Sequence, residues 1–262
     1  MDLIILMSTM NKKSIEDLKL KEKNILKDDN ILVINQATAI ENQMLENKNF
    51  LTYTERGLSK SRNRALEKVQ EGIGIVADDD VCYKKNYKEI IKAAYKENKD
   101  ADVIVFQIET PEKNLFKNYR KTSCYLNSFS ILKVSSIEIT FNIKKIKENC
   151  IKFDERFGLG AEYAIGEEAI FLKECLDKGL KILYLPKVLV IHPKESTGDR
   201  LDEEGLRNKG AVFQKIYKNK DILIGMIFIL KKINAIEVNL FQGIKAFFSG
   251  RENYLKKIKE GL

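Results

Sequence analysis

The chain has 262 residues, 44% of them hydrophobic, with four cysteines and one histidine. That length suits one large α/β domain with an appendage, and the hydrophobic fraction is ordinary for a globular protein, so disorder is not the default. A formal net charge of +8 and a pI near 9.1 favour anionic partners, but lysine is spread along the whole chain and no nucleic-acid-binding module is visible.

Leu3 to Met7 reads as a first strand, and Ser8, Thr9, Met10 and Asn11 as the loop at its end. The segment lacks the basic region and cleavage site of a signal peptide. Ser14 and Asp17 form a capping-box pattern that opens a short helix. Ile31 to Ile34 is a second strand ending at Asn35 and Gln36, and Phe50 to Tyr53 a third. Leu58, Ala65, Leu66 and Val69 then recur at helical spacing, with Ser59 as the expected N-cap. The short apolar run from Ile73 to Ala77 is that of a strand covered on both faces. It ends in Asp78, Asp79 and Asp80, at the place where an α/β sheet gathers its ligands. Three adjacent carboxylates repel one another unless solvent screens them or a cation joins them. The hard oxygens of Asp78 and Asp80 suit Mg²⁺ or Mn²⁺.

Tyr87, Ile90, Ile91 and Ala94 mark one face of a further helix, and Val103 to Ile108 the next strand. This alternation predicts a mostly parallel sheet covered by helices. Residues 110 to 135 lack periodicity and read as a surface loop. Ser136 to Phe141 alternates like a strand, and a short helix follows to Cys150. Gly158, Gly160 and Gly166 lead to Glu167 and Glu168, whose charge suits a helix N-terminus. Cys82, Cys124, Cys150 and Cys175 form no CxxC pair and read as reduced thiols of a cytosolic protein. His192 is either a packed residue or a ligand. Ile222 to Leu230 is too short to span a bilayer. With Lys231, Lys232, Phe241, Ile244, Phe247 and Phe248 it makes a basic, apolar tail. That tail packs on the domain, forms a homodimer, or lies on an anionic membrane surface.

Three segments in order carry a resemblance: GLSKSRNRAL followed by IVADDDV (57–81), FDERFGLGAEYAIGEEAIFLKECLDKGLKI (153–182) and, more weakly, VLVIHPKESTG (188–198). Together they resemble the family 2 glycosyltransferases of the GT-A fold, with their Gly-Leu-Ser-x-x-Arg-Asn helix and DxD motif. The resemblance implies a GT-A domain over residues 1–204 and a helical extension over 205–262. It implies an inverting hexosyltransferase that moves a sugar from a nucleotide-sugar, expected to be a UDP-sugar, to a saccharide or lipid-linked glycan in bacterial surface-polysaccharide synthesis. The nucleotide would lie near Ser8, Thr9, Asn35, Arg62, Asp78 and Asp79. A Mn²⁺ or Mg²⁺ ion would be held by Asp80, with Asp78 and His192 as further ligands. Glu168 would be the base, with Glu167 as the other candidate, because the family more often has aspartate there. Amides at 35 and 36 stand where many members carry an acid, which leaves the base recognised by the site open. A metal-dependent nuclease, a sugar-nucleotide pyrophosphorylase and a non-catalytic membrane-associated protein are the alternatives.

Overall fold

The computed structural model describes residues 1–38, 49–193 and 201–260. Among them, nine strands form one sheet: β1 (Leu3–Met10), β2 (Ile31–Gln36), β3 (Phe50–Tyr53), β4 (Ile73–Asp78), β5 (Cys82–Tyr83), β6 (Val103–Glu109), β7 (Cys124–Tyr125), β8 (Ile139–Asn142) and β9 (Ile182–Ile191). Their order is β3-β2-β1-β4-β8-β6-β9-β5, with β7 paired to β9. The first four strands are parallel, as the alternation predicts. The rest of the sheet is mixed, because β8 runs antiparallel between β4 and β6. Strands β1, β2 and β4 are longer than their apolar runs. Backbone pairing of Ser8 with Asp78 and of Thr9 with Asn35 carries the ladder into polar residues, so Ser8 and Thr9 are strand, not loop.

Period-two alternation divides the core. Ile5, Met7, Val33, Ile73, Ile75 and Ala77 face helix α2 (Tyr87–Glu97). Leu6, Ile34 and Val76 face the opposite way, toward α1 (Leu58–Lys68), α3 (Ile143–Glu148) and α4 (Glu167–Asp177). Both faces are therefore apolar, which explains the uninterrupted hydrophobic runs.

Local predictions fail where polar side chains are drawn elsewhere. Ser59 does not cap α1; Gly57 does, held at both its N–H and C=O by the amide of Gln36 at 3.2 and 3.0 Å. The Ser59 hydroxyl instead donates to the Phe157 carbonyl at 2.6 Å. Ser14 and Asp17 do form a capping box, but the helix they open is one 3-10 turn, Ile15–Leu18. The strand expected from Ser136 starts at Ile139, after a 3-10 turn over Ser136–Glu138. The aperiodic segment before it is pinned by a buried polar group rather than by an apolar face. Glu138 is 1% exposed, pairs with Lys117 at 2.8 Å and accepts from the Tyr119 hydroxyl.

The last third adds α5 (Glu203–Tyr217), α6 (Asp221–Lys231) and α7 (Leu240–Lys259). The boundary expected at 204/205 falls inside α5. Ala211, Val212, Ile216 and Tyr254 share one cluster with Phe157, Tyr163, Ala169 and Ile170, so the extension packs onto the sheet domain. Helices α5 and α7 cross almost backbone to backbone. A Cβ on Gly210 would stand 1.9 Å from the Phe247 carbonyl oxygen, and one on Gly250 would stand 1.8 Å from that of Arg207.

A second tie is ionic. Asp154 binds Arg156 at 2.7 Å and Lys215 of α5 at 3.0 Å. Burial alone would raise its pKa, but these two cations outweigh it and bring the carboxyl down to about 2. The folded value lies below the unfolded one, so the contribution is present above pH ~4 and lost as pH falls through ~2. Asp154→Asn is expected to cost about 1–2 kcal/mol at neutral pH, allowing for solvent screening. Denaturant melts of both proteins between pH 2 and 7 should converge at the acid end, and a difference independent of pH would refute the assignment.

Candidate active site

The site forms where α1 is stitched to the segment about 90 residues later. Asn63 binds the Phe153 backbone in both directions, each bond 2.9 Å, and its amide also donates to Glu155 at 3.0 Å. The Leu58 N–H reaches the Leu159 carbonyl at 2.8 Å. With the Ser59 bond, these contacts explain why the two sequence segments occur together. They align the N-terminus of α4 against the C-terminal end of β4.

Arg62 occupies that junction at 3% exposure. Its Nη1 donates to Glu167 Oε1 at 2.8 Å and its Nη2 to Asp78 Oδ1 at 3.2 Å. Its guanidinium carbon lies 5.5 Å from the centre of the Phe153 ring. Burial opposes the charge, yet Asp78, Glu167 and Glu168 together hold the arginine pKa above its ordinary value. The carboxyl of Asp78 is pushed up, by burial first and by Asp80 and Glu167 as well, against the pull of Arg62. Glu168 is raised well above the usual carboxylate range, by burial first and then by the Glu167 charge beside it. Glu167 itself is buried and tied to Arg62, whereas Glu168 is only half-buried.

Two further groups flank this centre. Thr9 at the end of β1 donates its hydroxyl to Asp79 Oδ2 at 2.6 Å, and Lys12 Nζ lies 3.5 Å from the same oxygen. On the other side, antiparallel pairing of β5 with the end of β9 brings His192 to Asp80, with Nε2 3.2 Å from Oδ2. This pairing lowers the Asp80 pKa and raises that of His192. Among the described residues, no group of three or more His, Cys, Asp or Glu side chains is arranged to hold a metal ion by itself. Asp80 and His192 offer one oxygen and one nitrogen donor. That pair would supply two of the ligands a divalent ion needs, and the rest would have to come from elsewhere.

The structure thus gathers Asp78, Glu167 and Glu168 around the buried Arg62, with Asp79 and Thr9 on one flank and Asp80 and His192 on the other. Ser8 is buried and accepts from the Ser61 hydroxyl at 2.9 Å. Asn35 is fully buried, its amide bonded in both directions to the backbone of Lys12 at 3.0 Å and to Thr52 at 3.2 Å. Residues 194–198 of the third matched segment lie outside the described residues. Lys12 and Ser136, whose hydroxyl is 3.5 Å from Asp78 Oδ2, escaped the sequence reading. Lysine is too common in this chain to single one out, and Ser136 reads only as the first residue of an alternating strand. Two open grooves, of about 610 and 220 Å³, run along α5 near Tyr217 and Lys215. Neither groove is lined by the carboxylates of the Arg62 centre, which lie where the buried cation and the strand ends converge.

No family model matches the sequence, and no curated protein does. Solved structures do match, among them structures of TarS from S. aureus. The complex with UDP-GlcNAc aligns with a TM-score of 0.63 at 16% identity, over 95% of this chain and 81% of that one. The complex with UDP gives 0.59 at 14% identity, over 100% and 92%. The fold is GT-A. Against a longer TarS structure the TM-score is 0.56 at 14% identity, and the alignment takes 97% of this chain but only 43% of that one. In this GT-A fold the acidic cluster lies beyond the carboxyl ends of β1 and β4, the usual ligand position of an α/β sheet.

Proposed function

We propose that the protein is an inverting, metal-dependent glycosyltransferase of the family 2 type. It would take a UDP-sugar, a hexose derivative, as donor and a saccharide or lipid-linked glycan as acceptor. The observation that carries this reading is the carboxylate centre around Arg62, set in a fold shared with a protein whose crystals hold UDP-GlcNAc and UDP.

The nucleotide lies over the ends of β1 and β4, with Ser8, Thr9, Asp78 and Asp79 beneath it. Asn35 serves as the clip that shapes the turn at Lys12. Arg62, already bonded to two carboxylates, acts from below as an electrostatic floor that keeps Asp78 and Glu167 in place. A Mn²⁺ or Mg²⁺ ion, when bound by Asp80 and His192, supplies positive charge against the departing diphosphate. Glu168 is the base. It is the more open of the two glutamates, and its raised pKa gives it the proton affinity to accept hydrogen from an acceptor hydroxyl. A single displacement at the anomeric carbon inverts its configuration.

Thermal unfolding with UDP, GDP, ADP and CDP, each with and without Mn²⁺, tests the donor site in wild type and Asp80→Asn. Saturation at about a hundred times Kd adds roughly 2.7 kcal/mol, and each kcal/mol raises Tm by about 2–4 °C in a domain of this size. A shift with UDP that requires Mn²⁺ and vanishes in Asp80→Asn is the expected result. No shift with any nucleotide would overturn the donor site.

A further inference from the structure

The charge of the chain is not evenly divided in space. Residues 205–262 hold 12 Lys and Arg against 4 Asp and Glu, leaving 34 of each sign in residues 1–204, so the whole net +8 falls in this segment, which carries the helices α6, α7 and most of α5. Within them, α6 is apolar on both sides. Its inner side is satisfied: Gly225 lies against the Phe247 ring, Ile229 is buried with Phe213 and Phe247, and Asp221 is buried in an ion pair with Arg251 of α7. Its outer side carries Leu223, Ile227 and Leu230, at i, i+4 and i+7, with Leu223 and Leu230 67% and 63% exposed. Phe241, at the start of α7, is 74% exposed. Exposed Lys218, Lys220, Lys231, Lys232 and Lys245 lie at and beyond the ends of α6 and on α7.

We infer that the outer face of α6, with Phe241, docks on an anionic phospholipid surface. An 11-residue helix is about 16 Å long, too short to cross a bilayer, so it lies in the interfacial plane with its leucines in the acyl boundary. No described helix is long and apolar enough to span. The lysines supply the complementary charge to acidic headgroups. The same lysines oppose a two-fold dimer through this face, which would bring one positive extension against another.

Flotation of the full chain with vesicles tests this, independently of any transferase activity. One set is phosphatidylcholine; the other is equal parts phosphatidylcholine and phosphatidylglycerol. Both altered side chains of a Leu223→Glu/Leu230→Glu variant are exposed, so it should melt with the wild type. Expected are binding to the mixed vesicles only, weakening with salt, and loss of about tenfold or more in affinity in the variant. No binding to mixed vesicles at low salt, equal binding to both vesicle types, or binding unchanged in the variant would overturn it. So would self-association in sedimentation that the variant abolishes while no vesicle is bound, because the face would then belong to a second copy.

Discussion

Glu168→Gln should lower UDP release from the donor, whether to water or to a saccharide acceptor, by about 10²- to 10⁴-fold while leaving nucleotide affinity within about threefold. Glutamine keeps the size of the side chain and removes only the proton acceptor. Glu168 does not hold the Arg62 hydrogen bond, so the fold has no reason to suffer. Glu167→Gln is the informative contrast. It weakens the 2.8 Å bond to a buried arginine, so its damage should appear in stability before it appears in the chemical step. A coupled assay for UDP, read beside calorimetric titration of UDP, separates the two. Should Glu168→Gln retain wild-type turnover while Glu167→Gln loses it with its fold intact, the base is Glu167.

The largest loss of stability is expected from Arg62→Met. Methionine nearly fills the space but leaves Asp78 and Glu167 facing each other without their shared cation. Breaking a buried ion pair from one side costs about 3–5 kcal/mol, which corresponds to a fall in Tm on the order of 6–20 °C. The deficit has a sign in pH. Asp78 and Glu168 already resist ionisation, for burial disfavours their charge, so acidification lets them take up protons and relieves part of the repulsion. The variant should therefore lose less, relative to wild type, at pH 5 than at pH 8. Calorimetric melts across that range check it, and a variant within about 1 kcal/mol of wild type would show that Arg62 is no keystone.

Those two residues also show what a sequence can and cannot disclose. The alternation of apolar runs was enough for the first four strands, because a strand covered on both faces announces itself by composition. Glu167 and Glu168 were found at a helix start by the glycines before them and by charge. Legibility ended where a side chain works at a distance. Asn63 looks like any helix-turn amide until Phe153 is beside it, and Ser59 looks like a cap until the Phe157 carbonyl accepts its hydrogen bond. Asn35 faces the same difficulty. Its place at a strand end suggests a ligand, whereas its amide is spent on Lys12 and Thr52. The antiparallel β8 was hidden too, since alternation fixes which face a residue takes but not the direction of its strand.

The glycine crossing of α5 and α7 has a geometric outcome for the cleft. Val212, two residues along α5 from Gly210, sits against Gly166, where an added Cβ would meet it at 2.5 Å. Gly166 is the cap from which Glu167 and Glu168 depart. The apolar helix α6, the crossing and the carboxylates are therefore joined by one continuous chain of contacts. Were α6 to rest on lipid as inferred above, the same contacts would hold the carboxylate cleft at a set distance from that surface.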